Sequence, residues 1–241
     1  MAIRITMWTK FILRCVVASV IAAVYLINKE LLDFTAQKSG WALVFIIAFY
    51  LILMGELIVR FLPGKLKPIG MRKHFKAQYT PTQDFLNRNS ELNEPERKKL
   101  KTANKRALII LILYLLLSGI WYSLFFHKIF GVPELVMVMM FYYVADLFCV
   151  HIYCPFRKIF LRHRCCTVCR IYNWDAWMLF SPMFIIIHPF STSLSGLALI
   201  YSLTWEYMYF RHPERFLDTT NENLKCKNCK HHMCKSKLRV K

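Results

Sequence analysis

Apolar residues in this chain fall into long unbroken blocks, not at the three-to-four-residue spacing of an amphipathic helix. ALIILILYLLLSGIWYSLFF, residues 107–126, is one such block. A bilayer crossing needs about 20 apolar residues in a row. Six candidate membrane helices follow: Thr9–Ile27, Trp41–Leu62, Ala107–Phe126, Pro133–Tyr153, Trp174–Pro189 and Ser193–Phe210. The last two are short and form a tight hairpin, with Pro189 and the polar Ser-Thr-Ser after it as the turn. The predicted fold class is all-α, a polytopic integral membrane protein with six transmembrane helices and a small Cys-rich cytoplasmic face. Its segments are helices 1–2 (1–62), a basic loop (63–106), helices 3–4 (107–153), a Cys-rich loop (154–173), the hairpin 5–6 (174–210) and a basic Cys-rich tail (211–241).

Composition agrees, with 56% apolar residues and a mean hydropathy of +0.34. The net charge of +19 would suit nucleic acid, but the cations sit between spans and no nucleic-acid signature accompanies them. In the six-span arrangement one side of the membrane receives 30 of the 33 lysines and arginines, and the other only Lys29, Lys38 and Lys128. Basic short loops stay inside, so both termini are expected in the cytoplasm of a bacterial-type plasma membrane. Arg14 interrupts the first apolar run, and no small-residue cleavage site follows it, so an uncleaved span is expected rather than a signal peptide.

The basic loop before helix 3 offers Thr80 as an N-cap with Pro81 in the first turn, and a second helix from about Pro95 running into the third span. Its cations suit anionic lipid headgroups as partners of the bilayer-embedded chain, although the positive-inside signal alone accounts for them.

Two patches are dense in cysteine: CPFRKIFLRHRCCTVCRIYNWD (154–175) and CKNCKHHMC (226–234). In a reducing cytoplasm structural disulfides are disfavoured, which leaves metal, reactive thiols or coincidence. Cys166-x-x-Cys169 and Cys226-x-x-Cys229 each have the spacing with which two thiolates grip one tetrahedral ion. The 56 residues between them are long for a soluble ribbon, but a membrane hairpin returns the chain to the same face. Cys154, Cys165, Cys234, His163, His231 and His232 are further candidate ligands. Zinc is favoured, with an iron–sulfur cluster as the alternative, although the ferredoxin spacing is absent. Cys15 and Cys149 lie within spans as small apolar residues.

Glu56, Asp146, Asp175 and Glu206 place carboxylates in or at the ends of spans, all toward the cytoplasmic side, with His151 and His212 near them. Either they line a polar vestibule, or local partners neutralise them: Arg60 for Glu56, Arg211 or Arg215 for Glu206, and the helix start for Asp175. Asp146 has no cation near it in sequence and is expected to face the bundle. Three function classes remain: a membrane scaffold or interaction protein with a structural zinc site, an iron–sulfur protein exchanging electrons with quinone, and a small transporter with an acidic pathway. No catalytic constellation emerges, and there is no phosphate-cradling glycine motif.

Overall fold

The structure is a computed structural model describing residues 2–36, 40–62, 73–161, 168–225 and 228, with the side chains of 2–7, 157, 158 and 173 left aside. Among the described residues the chain is helical, without a strand. Seven α-helices follow in order: α1 (Ala2–Asn28), α2 (Trp41–Phe61), α3 (Gln83–Asn87), α4 (Glu94–Phe126), α5 (Val132–His151), α6 (Asp175–Phe180) and α7 (Pro189–Arg211). Four stretches are long and apolar enough to cross a membrane: Trp8–Leu32, Trp41–Phe61, Glu94–Phe126 and Val132–His151.

The distribution of burial is that of a protein solvated by hydrocarbon. Leu108, Ile112 and Leu116 of α4 face outward, while Arg14 and Arg60 are 3% and 8% exposed in the bundle. In water the same outward face would be a large unfavourable apolar patch. The core between helices is built from Ile21, Leu53, Leu57, Leu135, Met139, Leu179, Leu194 and Trp205.

Helix α4 begins with a capping box: the Asn93 side chain accepts from the Glu96 amide at 3.0 Å, and the Glu96 carboxylate accepts from the Asn93 amide at 3.1 Å. Its 33 residues make a rod of about 50 Å, longer than the roughly 30 Å of hydrocarbon. The surplus is the polar Glu94–Arg106 stretch, so the expected loop helix and third span are one continuous helix. The helix expected from Thr80 starts later. Thr82 is the N-cap residue of α3, and its hydroxyl donates to the Thr219 carbonyl instead of capping.

The fifth expected helix is broken. Six residues of α6 are followed by a 3-10 turn, Ser181–Met183. Pro182 has no amide hydrogen, so the Met178 carbonyl four residues back loses its helical donor. The Tyr114 hydroxyl donates to that carbonyl at 2.9 Å, and the Tyr122 hydroxyl donates to the Ser181 carbonyl at 2.7 Å. Helix α4 thus satisfies the backbone that the break exposes, as nonpolar surroundings require. Chain 184–188 then runs to α7, where His188 Nδ1 accepts from the Phe190 amide at 3.3 Å.

Contacts sort the helix ends into two groups. Trp8 stacks near His151, with ring centroids 5.0 Å apart, so α1 and α5 are antiparallel. At their other ends the Tyr25 hydroxyl donates to Glu134 at 3.1 Å, and the ring of Phe34 lies 5.1 Å from His188. The segment from Asp175 to His188 therefore joins the end that holds His151 to the end that holds Glu134.

Candidate functional site

At one depth in the bundle, near the end that holds His151, two arginines and three carboxylates form a single ion cluster. Arg14 of α1 donates to Asp146 of α5 at 2.8 Å, to the Tyr143 carbonyl at 2.9 Å, and to Glu56 of α2. Arg60, at the last turn of α2, pairs with Asp175 of α6 and approaches Asp146 to 3.6 Å. Tyr143 donates its hydroxyl to the second oxygen of Glu56 at 2.8 Å, and its ring lies 4.4 Å from the Arg14 guanidinium. Glu56 and Arg60 share α2, and Tyr143 and Asp146 share α5, but every ion pair joins two different helices. The cluster therefore ties α1, α2, α5 and α6 together where lipid offers no solvation to isolated charge.

Several sequence expectations change here. Glu56 turns to Arg14 instead of the neighbouring Arg60, because Arg60 is drawn to Asp146 and Asp175. Asp175 accepts from the Ala176 amide at 2.7 Å, and Arg60 as well. Asp146 faces the bundle. Its partner is Arg14, which the sequence reading took only as an interruption of the first span. Glu206 does not pair with Arg211 or Arg215. It holds Arg170 through both oxygens and accepts from the Trp174 indole at 2.6 Å. His151 stacks against Trp8 and Phe11.

Outside the bundle at the same end, residues 73–93 and 212–225 interlock. The Thr82 amide donates to the Thr220 carbonyl at 3.0 Å, and the Glu222 amide to the Thr80 carbonyl at 2.8 Å. Arg215 reaches the His74 carbonyl at 3.0 Å. Lys73, only 1% exposed, donates to the Cys169 carbonyl at 3.2 Å and lies 5.4–5.7 Å from the rings of Phe216 and Trp205. This cap binds the segment after α7 to the loop before α6.

Of the candidate metal ligands, Cys154 and Cys169 are described and both are buried. Burial pushes the Cys169 thiol above its ordinary pKa, favouring the neutral form. Cys165, Cys166, Cys226, Cys229, Cys234, His163, His231 and His232 lie outside the described residues. Among the described residues no three His, Cys, Asp or Glu side chains come together to hold a metal ion.

Cys149, Cys154, Cys169, Asp146 and Asp175 also wall a largely apolar cavity of about 150 Å³ between α4, α5 and α6, completed by Tyr114 and Tyr172 among others. A second cavity, about 350 Å³, lies under the cap. Val168 and Cys169 share its wall with Leu217 and Asp218. The sequence could have pointed to the ion cluster through the unusual arginine in the first span. Nothing in its local pattern pointed to Lys73 or to the pairing of Thr82 with Thr219. Comparison with known proteins finds no match for this chain among family models, curated proteins or solved structures.

Proposed function

We propose that the chain is a six-crossing plasma-membrane protein with both termini in the cytoplasm, acting as a scaffold or interaction protein with a structural cysteine site for zinc. One observation carries the metal reading. Val168–Cys169 and Leu217–Asp218 wall the same cavity, so Cys169 of the first knuckle lies near the chain eight residues before the second. A tetrahedral ion gripped by Cys166, Cys169, Cys226 and Cys229 would lock that junction. The crossing number is supported by α6 and α7, which run from Asp175, beside Arg60, to His188, beside Phe34, and back to Glu206, beside Arg170. Orientation rests on charge. With Arg14 and Arg60 counted as bundle residues, the split is still 28 cations against 3.

Elemental analysis of the detergent-purified protein, with an absorption spectrum, tests the site. Zinc at about one ion per chain without visible colour supports it, and iron with visible absorption replaces zinc by a redox cluster. Absence of both metals sinks the site. A periplasm-active reporter fused at Lys241 should stay silent, and a strong signal would sink the topology.

A second reading, a small transporter, is favoured by a different observation. Asp146 and Asp175 belong to a cluster of three carboxylates and two guanidiniums, and they also line a cavity. Among the described residues the cluster holds one carboxylate more than guanidinium, which suits a proton or another cation. Proton- or cation-coupled uptake in vesicles, abolished by Asp146→Asn, would favour this reading over the scaffold.

A further inference from the structure

The 350 Å³ cavity under the cap has a wall that the scaffold reading does not use. Lys73, Lys98, Lys99, Arg106 and Arg170 all line it, against one carboxylate among the described residues, Asp218. Asp218 is held by Lys99 at 2.6 Å, and Arg170 is balanced from outside the wall by Glu206. Among the described residues, five cations set against these two carboxylates leave an excess of three positive charges around one partly open space. Its volume is at the small end of ligand cavities, which run from about 300 Å³ upward.

Four of the five cations are also held by named partners, Lys73 by the Cys169 carbonyl and Lys99 by Asp218 among them, while Lys98 is exposed. Arg170 is 6% exposed, donates through Nε to Asn104 at 3.0 Å, and lies 4.0 Å from the Tyr209 ring. Arg106 donates to the Leu161 carbonyl at 3.0 Å, at the point where α4 changes from polar to apolar sequence. Positive-inside charge alone asks only for solvated cations, such as the exposed Lys101 and Lys105 on the same helix. It gives no reason to bury Lys73 and Arg170 beside the same cavity. Fixed, partly desolvated cations attract an anion far more strongly than mobile surface lysines do. The remaining wall is apolar, with Leu100, Leu161, Phe216 and Leu217, and the lipid-facing Leu108, Ile109, Ile159 and Phe160 lie next to it in sequence.

We propose that this cavity binds a phosphate group, from an anionic phospholipid headgroup or from free phosphate. Charge recommends an anion, the arginine and lysine donors suit phosphate oxygens, and the apolar wall suits a headgroup whose acyl chains lie along α4. The proposal rests on the membrane reading. A chain that stays soluble without detergent fails that reading, whereas loss of lipid preference alone fails only this site.

The test is native mass spectrometry of the purified protein from mixed micelles of phosphatidylglycerol and phosphatidylcholine, with a parallel thermal-shift arm in lipid-free detergent plus inorganic phosphate. Wild type should retain phosphatidylglycerol preferentially. Lys98→Gln with Arg106→Gln should cut that retention about tenfold, the weight of one or two charge-assisted contacts. Lys101→Gln with Lys105→Gln, which removes the same charge outside the cavity, should change it by no more than about twofold. Lys98→Gln alone, at an exposed position, gives the same direction if the double variant folds poorly. Stabilisation by inorganic phosphate without lipid preference makes free phosphate the source. Equal loss in both double variants, or no preference and no phosphate shift in wild type, overturns the site.

Discussion

The hydroxyl of Tyr114 donates to the carbonyl of Met178, the acceptor that Pro182 deprives of its helical amide. One side chain of α4 thereby makes the broken α6 tolerable within the bundle. Tyr114→Phe leaves that carbonyl with only the weaker-placed Ser181 hydroxyl, at 3.1 Å. The expected loss is about 1–2 kcal/mol, in the range of hydrogen bonds inside membrane proteins. Reversible unfolding in mixed micelles measures it, and an unchanged midpoint would mean that the break is satisfied without α4.

Arg14 is the hub of the ion cluster, so its removal should cost more than the removal of any one acid. Arg14→Ala leaves Glu56 and Asp146 facing each other without their shared cation, a loss of about 3–5 kcal/mol. Adding Glu56→Gln and Asp146→Asn should recover most of it, because neutral groups no longer need the guanidinium. The same unfolding assay reads both. Failure of the triple variant to recover would show that Arg14 acts through packing on Tyr143 instead of charge.

If zinc fills the proposed cysteine site, its removal should act on the junction below the cap. Incubation with a strong chelator should expose the tail after Asn228 to limited proteolysis, and Cys229→Ser should do so without chelator. Zinc binding is coupled to ordering of its ligands. Identical digestion patterns with and without chelator would disconnect the metal from the tail.

Tyr79 gives the cap a pH signature. Its hydroxyl is buried without a hydrogen-bond partner among the described residues, and burial, reinforced by Glu214, pushes its pKa up to about 12. An unfolded tyrosine titrates near pH 10. Titration of Tyr79 therefore leaves stability unchanged below about pH 10, and stability falls as pH rises from there toward 12. Tyr79→Phe should remove part of that fall, read as the difference between the two midpoints across this window. Parallel curves for the two proteins would contradict the assignment.

Much of this architecture is written in runs of residues. The four long spans and the extension of α4 follow from uninterrupted apolar blocks and the Asn93–Glu96 capping pair. The acids drew attention because carboxylates are rare in such blocks. Their partners did not, since Arg14 meets Asp146 across 132 residues, and helical periodicity carries no information over that distance. Arg60 closes a span, and proximity in sequence favoured Glu56 as its mate. Pro182 was visible, but the apolar run around it suggested a continuous fifth helix. The capping hydroxyls that allow the break lie on another helix. The interlocking of 73–93 with 212–225 uses backbone groups of irregular segments, for which side-chain pattern offers no signal.

The long reach of Arg14 also bears on how the chain is made. Helix α1 is synthesised before α2 and α5, and its guanidinium meets Glu56 only 42 residues later and Asp146 only 132 residues later. At roughly 5–20 residues per second, the second partner arrives some 7–26 s after the first span emerges. During that interval the arginine has at most Glu56 as a partner, and the pair must be kept in a wet or protein-lined environment. The insertion machinery, or a membrane chaperone, would have to hold α1 back from lipid until α5 is available. A truncated chain ending before α5 should therefore stay bound to that machinery instead of partitioning freely into the bilayer.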